Sequence, residues 1–226
     1  MIEPDAHEPQ DPARDRNPSD GPVMDTAVPV AERLVAGIER TTRQIASGGT
    51  MWTGSQRVAI ASVARSAAAG ESGGDGSVLP APARTTAAKV ATDAHSMAQA
   101  DVDTFDDPAA YVEIVGVVAR TIAIDTFARG VGADPIAFPI GTDDPPSGQI
   151  NPHARQRSSL VPTAGGAGPT TALSLVPAED QAQADLHGTL YLTYLEMGDP
   201  TIHKGLSRWQ LELVAARTSL INHCRF

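Results

Sequence analysis

Apolar and charged positions alternate with helical spacing in the first part of the chain. Between Val28 and Ser47, Val30, Leu34, Ile38 and Ile45 lie at intervals of four, four and seven residues, with charged residues between. That spacing places the apolar side chains on one face of a helix. We therefore predict an amphipathic helix over this stretch, and three further helical segments follow before residue 133.

Capping residues predict where these three helices begin and end. Thr53 can cap a second helix, which runs through Ala69 and is closed by Gly70. A third helix starts near Pro82, because proline suits the first turn, and runs toward His95.

The fourth helix has the strongest boundary signals. Asp107 followed by Pro108 is a start signal, and Gly130 with Gly132 ends the helix. The strongly apolar sequence between them contains a few isolated charges. The pattern is typical of a buried helix and too interrupted for a membrane span.

The helical pattern stops over residues 133–170, where Pro and Gly recur every few positions. A structureless loop longer than about 15 residues is uncommon inside a compact domain. We therefore expect a linker that joins two helical units or wraps across their surface. Helical patterns return at 172–175, 178–197 and 207–221.

Composition supports an all-α fold. The chain has only two Trp, three Tyr and four Phe. Its core must therefore be built mainly from Ala, Val, Leu and Ile, and Ala is the strongest helix former. We predict a helical bundle of two similar units, with residues 26–132 forming the first and 171–226 the start of the second.

Charge and cysteine content exclude several classes of protein. There are 27 acidic and 17 basic side chains, a net charge of -10, which disfavours nucleic-acid binding. The single cysteine, Cys224, cannot form an intramolecular disulfide or a cysteine-rich zinc site and fits a reducing, cytoplasmic location. Residues 1–25 are rich in Pro and charge, so we expect a disordered acidic tail without a signal peptide or membrane anchor.

A possible repeat relates two of the predicted helices. A shift of 154 residues lays Gln210 on Gln56 and aligns similar Ala and Val positions. Glu212 then falls on Val58 and Cys224 on Gly70. If the two segments are copies, the first one lacks the acid and the thiol.

The C-terminal segment resembles the alkylhydroperoxidase family related to AhpD, which shares an all-α fold with carboxymuconolactone decarboxylases. The family motif is a Glu, eleven residues, Cys-x-x-Cys, three residues and a His. Glu212 and Cys224 are separated by eleven residues and match its first two elements. Residues 111–132 resemble the helix after the motif, and residues 50–65 resemble the helix before it.

The resemblance implies thiol-dependent reduction of a peroxide. In the family the later cysteine attacks the peroxide, the earlier one, matched by Cys224, resolves the sulfenic acid into a disulfide, and the Glu, matched by Glu212, serves a proton relay with the His. A thioredoxin-like or lipoyl-bearing partner reduces the disulfide, and no haem, flavin or metal is implied. The second Cys and the His would lie one and five positions beyond Phe226, so we expect this sequence to be a fragment without activity.

The spacing also sets a geometric requirement. On one continuous helix, Glu212 and Cys224 would lie about 18 Å apart along the axis, too far for a proton relay. Asn222 can supply a break, since Asn tolerates the left-handed conformation and can cap a following helix. Cys224 would then lie in a first helical turn, where its thiol pKa is lowered.

Less specific interpretations compete with the catalytic one. Cys224 can be a small buried hydrophobic residue, and Glu212 can pair with Arg208 or Arg217. His223 has no second ligand cluster that would favour a metal site. The whole protein can be a non-catalytic helical module for oligomerisation or ligand binding, or an enzyme similar to carboxymuconolactone decarboxylases.

The fourth helix carries two further expectations. Its apolar residues Ile114, Val118 and Ile122 suggest burial across subunits, and the resemblance also implies a homo-oligomer. Its carboxylates, Glu113 and Asp125, are expected to form structural pairs with arginines, and Arg129 lies four residues after Asp125.

Overall fold

The computed structural model describes residues 26–71, 73–165 and 169–223. The predicted N-terminal tail and Cys224 lie outside the described residues. Within the described residues, no helix is long and apolar enough to cross a membrane.

The described part of the chain confirms the all-α class. Seven α-helices occur in it: α1 Glu32–Ala46, α2 Gly54–Ala68, α3 Ala81–Asp93, α4 Gln99–Val102, α5 Pro108–Gly130, α6 Pro177–Leu190 and α7 Arg208–Ile221. Short 3₁₀ turns lie at Ala94–Ser96, Pro169–Thr171 and Glu196–Gly198. The two strands, β1 His203–Lys204 and β2 Leu206–Ser207, form an antiparallel hairpin of two residues each.

Local capping fixes the helix boundaries close to those predicted. The Thr53 side chain accepts a hydrogen bond from the Gln56 amide (3.2 Å), and the Gln56 side chain accepts one from the Thr53 amide (3.0 Å). Asp107 caps α5 by accepting a hydrogen bond from Ala109. Gly70 and Gly132 adopt positive φ after α2 and α5, a conformation that favours glycine.

The main core lies between α2, α3 and α5. Ile60, Ala83, Ile114 and Val118 are buried there, and Ile122 packs against the same cluster. The expectation that apolar residues of α5 are buried across subunits is therefore wrong for Ile114 and Val118, and it stays a prediction for the partly exposed Ile122. Their partners are helices of the same chain, which the periodicity of α5 alone does not identify.

Residues 133–165 of the predicted linker contain no α-helix, and hydrogen bonds hold them along the helices. Thr142 inserts between the end of α1 and the start of α2: its amide donates to the Ala46 carbonyl (2.9 Å) and its carbonyl accepts from Ser55 (3.0 Å). Further along, the Gly148 amide donates to Thr50 and the Asn151 amide to Leu175 (both 2.9 Å). These bonds hold the segment against the α1–α2 junction and the residues before α6.

The segment after the linker returns to the first helices. α6 packs on α1 and α5, and Gly37 of α1 leaves the space that the Thr189 side chain fills. The first turn of α6 brings a carboxylate into contact with α2 and α5. The division into two similar units stays a prediction.

Gly54 generates a stability prediction, because a Cβ there would collide with the backbone of Ala46 and Thr142. Glycine to alanine inside a helix normally stabilises by up to about 1 kcal/mol. We expect Gly54→Ala to destabilise the protein instead, by about 1–3 kcal/mol, since close-packed backbone atoms must move. Urea unfolding followed by circular dichroism measures the change.

Gly130→Ala is the matched control. Gly130 also belongs to a helix, and a Cβ there would meet no atom within 4 Å. A neutral or slightly stabilising effect is expected. Equal effects of the two substitutions would contradict the close contact between the linker and the α1–α2 junction.

Candidate functional site

Glu212 lies on the first turns of α7 with its side chain 49% exposed. The Tyr191 hydroxyl donates to its Oε1 atom at 2.9 Å, and the Arg208 guanidinium donates to the same oxygen at 2.8 Å. The pairing with Arg208 that the sequence allowed is therefore present. In the described part of the chain, the other oxygen, Oε2, has no hydrogen-bond partner.

These two partners keep the Glu212 carboxylate ionised. The hydrogen bond from Tyr191, together with the hydrogen bond and charge of Arg208, lowers the pKa of Glu212. Desolvation and the same hydrogen bond raise the pKa of Tyr191, so the hydroxyl stays a donor. At neutral pH the carboxylate can accept a proton or a further hydrogen bond.

The end of α7 falls where the spacing required a break. The helix ends at Ile221, and the Asn222 side-chain amide donates to the Thr218 carbonyl at 2.8 Å. His223, with φ 53°, adopts the left-handed conformation that we predicted for Asn222. Its ring centroid is 6.1 Å from that of His95. Cys224 lies outside the described residues, so its approach to Glu212 stays a prediction.

An open groove of about 840 Å³ lies beside Glu212. Met197, His203 and Trp209 are among the residues that line it. The exposed side of α7 is unusually apolar for a helix at a protein surface. Its exposed apolar residues are Trp209, Leu213, Val214, Leu220 and Ile221.

A second group of polar residues lies in the interior and was missed as a group by the sequence analysis. Arg57 of α2, Glu113 and Arg120 of α5, and Glu179 of α6 form a buried ion cluster, each at most 3% exposed. Arg57 pairs with Glu113 and, at 2.7 Å, with Glu179. Arg120 pairs with the other oxygen of Glu179 at 2.6 Å.

Backbone groups complete the cluster. The amides of Thr50 and Met51 donate to Glu113 Oε2 at 3.0 and 2.6 Å, and Arg57 Nε donates to the Ile45 carbonyl at 3.2 Å. Buried charges are tolerated when they are paired and hydrogen-bonded in this way. The cluster thereby joins the α1–α2 turn, α2, α5 and α6.

The charges of the cluster change the acidity of its members in different directions. Burial alone would raise the pKa of Glu179, but the charges of Arg120 and Arg57 outweigh it and lower that pKa. Burial raises the pKa of Glu113 despite the charge of Arg57. Burial also lowers the pKa of Arg120. Glu179, between two guanidinium groups, is the carboxylate most firmly held in its charged form.

Two glycines leave the space that the carboxylates occupy. A Cβ on Gly116 would collide with Glu179, and a Cβ on Gly49 would collide with Glu113 and Arg57. The four charges face one another in a packed interior. We interpret the ion cluster as a structural junction.

A sequence signal for this cluster existed but was incomplete. Arg57 interrupts the apolar pattern of α2, and Glu113 and Arg120 interrupt that of α5 seven residues apart. The expectation that Glu113 pairs with an arginine is confirmed. Glu179 gave no such signal, because an acidic residue in a first helical turn is common at any surface.

The other carboxylate of α5 has a different partner from the one suggested by spacing. Asp125 forms a two-pronged pair with Arg65 of α2, at 2.8 and 2.7 Å, in place of Arg129. Arg65 also donates to the Ile136 carbonyl and lies over the Phe138 ring. Through these contacts Arg65 holds the first residues of the linker against α2 and α5.

Among the described residues, no group of three or more His, Cys, Asp and Glu side chains could hold a metal ion. Comparison of the chain with protein-family models, with curated proteins and with solved structures found no match. The resemblance to AhpD-like proteins therefore stays a prediction from the sequence.

The ion cluster generates a stability prediction. Glu179→Ala removes the carboxylate partner of Arg120 and one of the two partners of Arg57. Removing one member of a buried pair typically costs about 3–5 kcal/mol. We expect a loss of that size in the free energy of unfolding, measured by chemical denaturation.

Glu39→Ala is the control, since Glu39 of α1 pairs with Arg43 across an exposed helix surface. Exposed pairs contribute at most about 1 kcal/mol. A loss below about 1 kcal/mol for Glu179→Ala would contradict the role given to the cluster.

Proposed function

We propose that this chain belongs to an AhpD-like, thiol-dependent hydroperoxide reductase of the cytoplasm. The observation that carries the proposal is the spacing of Glu212 and Cys224 around a helix end. The eleven intervening residues match the family motif, and α7 ends at Ile221, three residues before the thiol.

The proposed chemistry is two-electron reduction of a hydroperoxide. A thiolate attacks the terminal peroxide oxygen, the O–O bond breaks, and the alcohol leaves after taking a proton. A second thiol displaces water from the sulfenic acid and forms a disulfide. In this assignment Cys224 is the second, resolving thiol, and the family's peroxidatic Cys would fall at the position after Phe226. A thioredoxin-like or lipoyl-bearing protein then supplies two electrons to the disulfide.

The geometry around Glu212 supports its part in a proton relay. The carboxylate is half exposed and lies beside an open groove, and Tyr191 and Arg208 hold it in place by hydrogen bonds to Oε1. Because those donors contact only Oε1, Oε2 is available to a water molecule or a histidine. Such a group can receive and return a proton during thiol oxidation.

A second candidate function is a non-catalytic module for helical association. The exposed apolar side of α7 favours it, since a surface helix normally presents charged and polar residues to water. In this case the ion pair of Glu212 with Arg208 is structural.

An activity measurement separates the two candidates. The 226-residue chain should not turn over cumene hydroperoxide with dithiothreitol or thioredoxin, because it has one cysteine. A longer form that carries Cys directly after Phe226 and His four residues later should turn it over. Glu212→Gln in that form should lower kcat about 100-fold, the typical effect of losing a proton-transfer group.

Glu39→Gln in the longer form is the control and should leave kcat unchanged. Turnover by the 226-residue chain would contradict the assignment of Cys224 as a resolving thiol. Absence of turnover by the longer form would favour the association module.

A further inference from the structure

The exposed side of α7 contains a regular apolar seam. Trp209, Leu213, Ala216 and Leu220 follow one another at intervals of four, three and four residues. That spacing is the a/d pattern by which two helices pack along a common seam. The side chains of Trp209, Leu213 and Leu220 are 67%, 62% and 77% exposed.

The seam points away from the rest of the chain. The partly buried residues of α7 in the middle and second half of the helix are Leu211, Ala215 and Ser219. At 100° per residue, Leu211 and Ala215 lie on the side away from the seam, and Ser219 lies on the same flank as Glu212. The Arg208 guanidinium anchors the N-terminal end by donating to the Met197 carbonyl at 2.8 Å. α7 is therefore anchored at its N-terminal end, where Trp209 also lines the groove beside Glu212, and the exposed seam residues Leu213 and Leu220 lie beyond that groove.

The charged residues on the two flanks of the seam determine which charges a second helix needs in order to pack against it. With the seam at a and d, Glu212 occupies the g position and Arg217 the e position. In a parallel helix pair, a g residue of one helix meets the e residue five positions later on the other. Glu212 and Arg217 are five residues apart, so two copies of α7 would form this pair twice.

Both groups are available for that contact. Within the described residues, the Arg217 guanidinium has no hydrogen bond or ion pair, and Glu212 Oε2 has no partner, although Oε1 is occupied. An antiparallel pair centred on the same seam would place Glu212 near Ser219 and Arg217 near Gln210, so neither charge would meet an opposite charge. The Glu212–Arg217 pairs therefore favour the parallel arrangement.

We propose that the seam binds the same seam of a second copy of this chain, with the two α7 helices parallel about a two-fold axis. The contact consists of four apolar side chains from each helix, bordered by two Glu212–Arg217 pairs between copies. An interface of two heptads is small, so the dimer is weak and depends on concentration. The proposal deepens the second candidate function, helical association, and uses the same Glu212 carboxylate as the proton relay; the association measurements below do not depend on peroxide turnover.

Sedimentation equilibrium of the full 226-residue chain tests the proposal. The mean mass should rise with concentration from that of one chain toward twice that value. Arg217→Glu places Glu against Glu twice and should weaken dimerisation at least tenfold. Arg157→Glu, at an exposed position remote from α7, makes the same charge change and should have no effect.

A mixture of two variants controls for damage to α7 itself. Glu212→Arg and Arg217→Glu chains should each associate poorly alone, but their equimolar mixture should form heterodimers because opposite charges then meet at both flanks. Far-UV circular dichroism should show unchanged helix content. A chain that stays monomeric at all concentrations, or an Arg217→Glu variant that dimerises like the wild type, would overturn the proposal.

Cross-linking tests the parallel orientation. In a Cys224→Ser background, Ala216→Cys places a thiol on the seam, where the two copies of the residue face each other in a parallel pair. Mild oxidation should give a covalent dimer. Ala215→Cys, on the side toward the chain's own body, should not cross-link. Equal cross-linking of both variants, or none with Ala216→Cys, would contradict the parallel arrangement of the two α7 helices.

Discussion

The arrangement of the helices depends on the two-sided pairing of Glu179 with Arg57 and Arg120. The two guanidinium groups come from different helices, and both are buried. Without the Glu179 carboxylate, Arg120 would be a buried charge without a partner, and Arg57 would lose one of its two partners. These ion pairs hold the first turn of α6 against α2 and α5. The same cluster also fixes the α1–α2 turn, whose backbone amides bind its second carboxylate, Glu113.

α7 contrasts with this interior. Its Glu212 carboxylate pairs at the surface, where the same types of charge contribute little to stability but stay accessible to solvent and partners. The ion cluster of α2, α5 and α6 is thus buried, whereas the Glu212 carboxylate of α7 is exposed to solvent. The proposed chemistry and association both use α7, because a functional group must be reachable from solvent.

The sequence predicted features that depend on neighbouring residues. The capping of α2 by Thr53 and of α5 by Asp107 requires only three or four consecutive residues, so local chemistry determines it. The end of α7 near Asn222 was predicted for the same reason, although His223 takes the left-handed conformation. Partners across the fold were harder to predict. Asp125 selects Arg65 over the nearer Arg129, because packing of α2 on α5 brings Arg65 into reach.

By itself, the sequence determined the all-α class, the boundaries of α2, α5 and α7, and the spacing of Glu212 from Cys224. These features follow from backbone preferences, apolar periodicity and counting along the chain. Only the tertiary structure decided that the linker wraps across the α1–α2 junction, that Ile114 and Val118 are covered within the chain, and that Glu179 joins a buried cluster. The physical reason is that an apolar face or a charged side chain specifies the kind of partner it needs, and only packing of the whole chain selects which partner it meets.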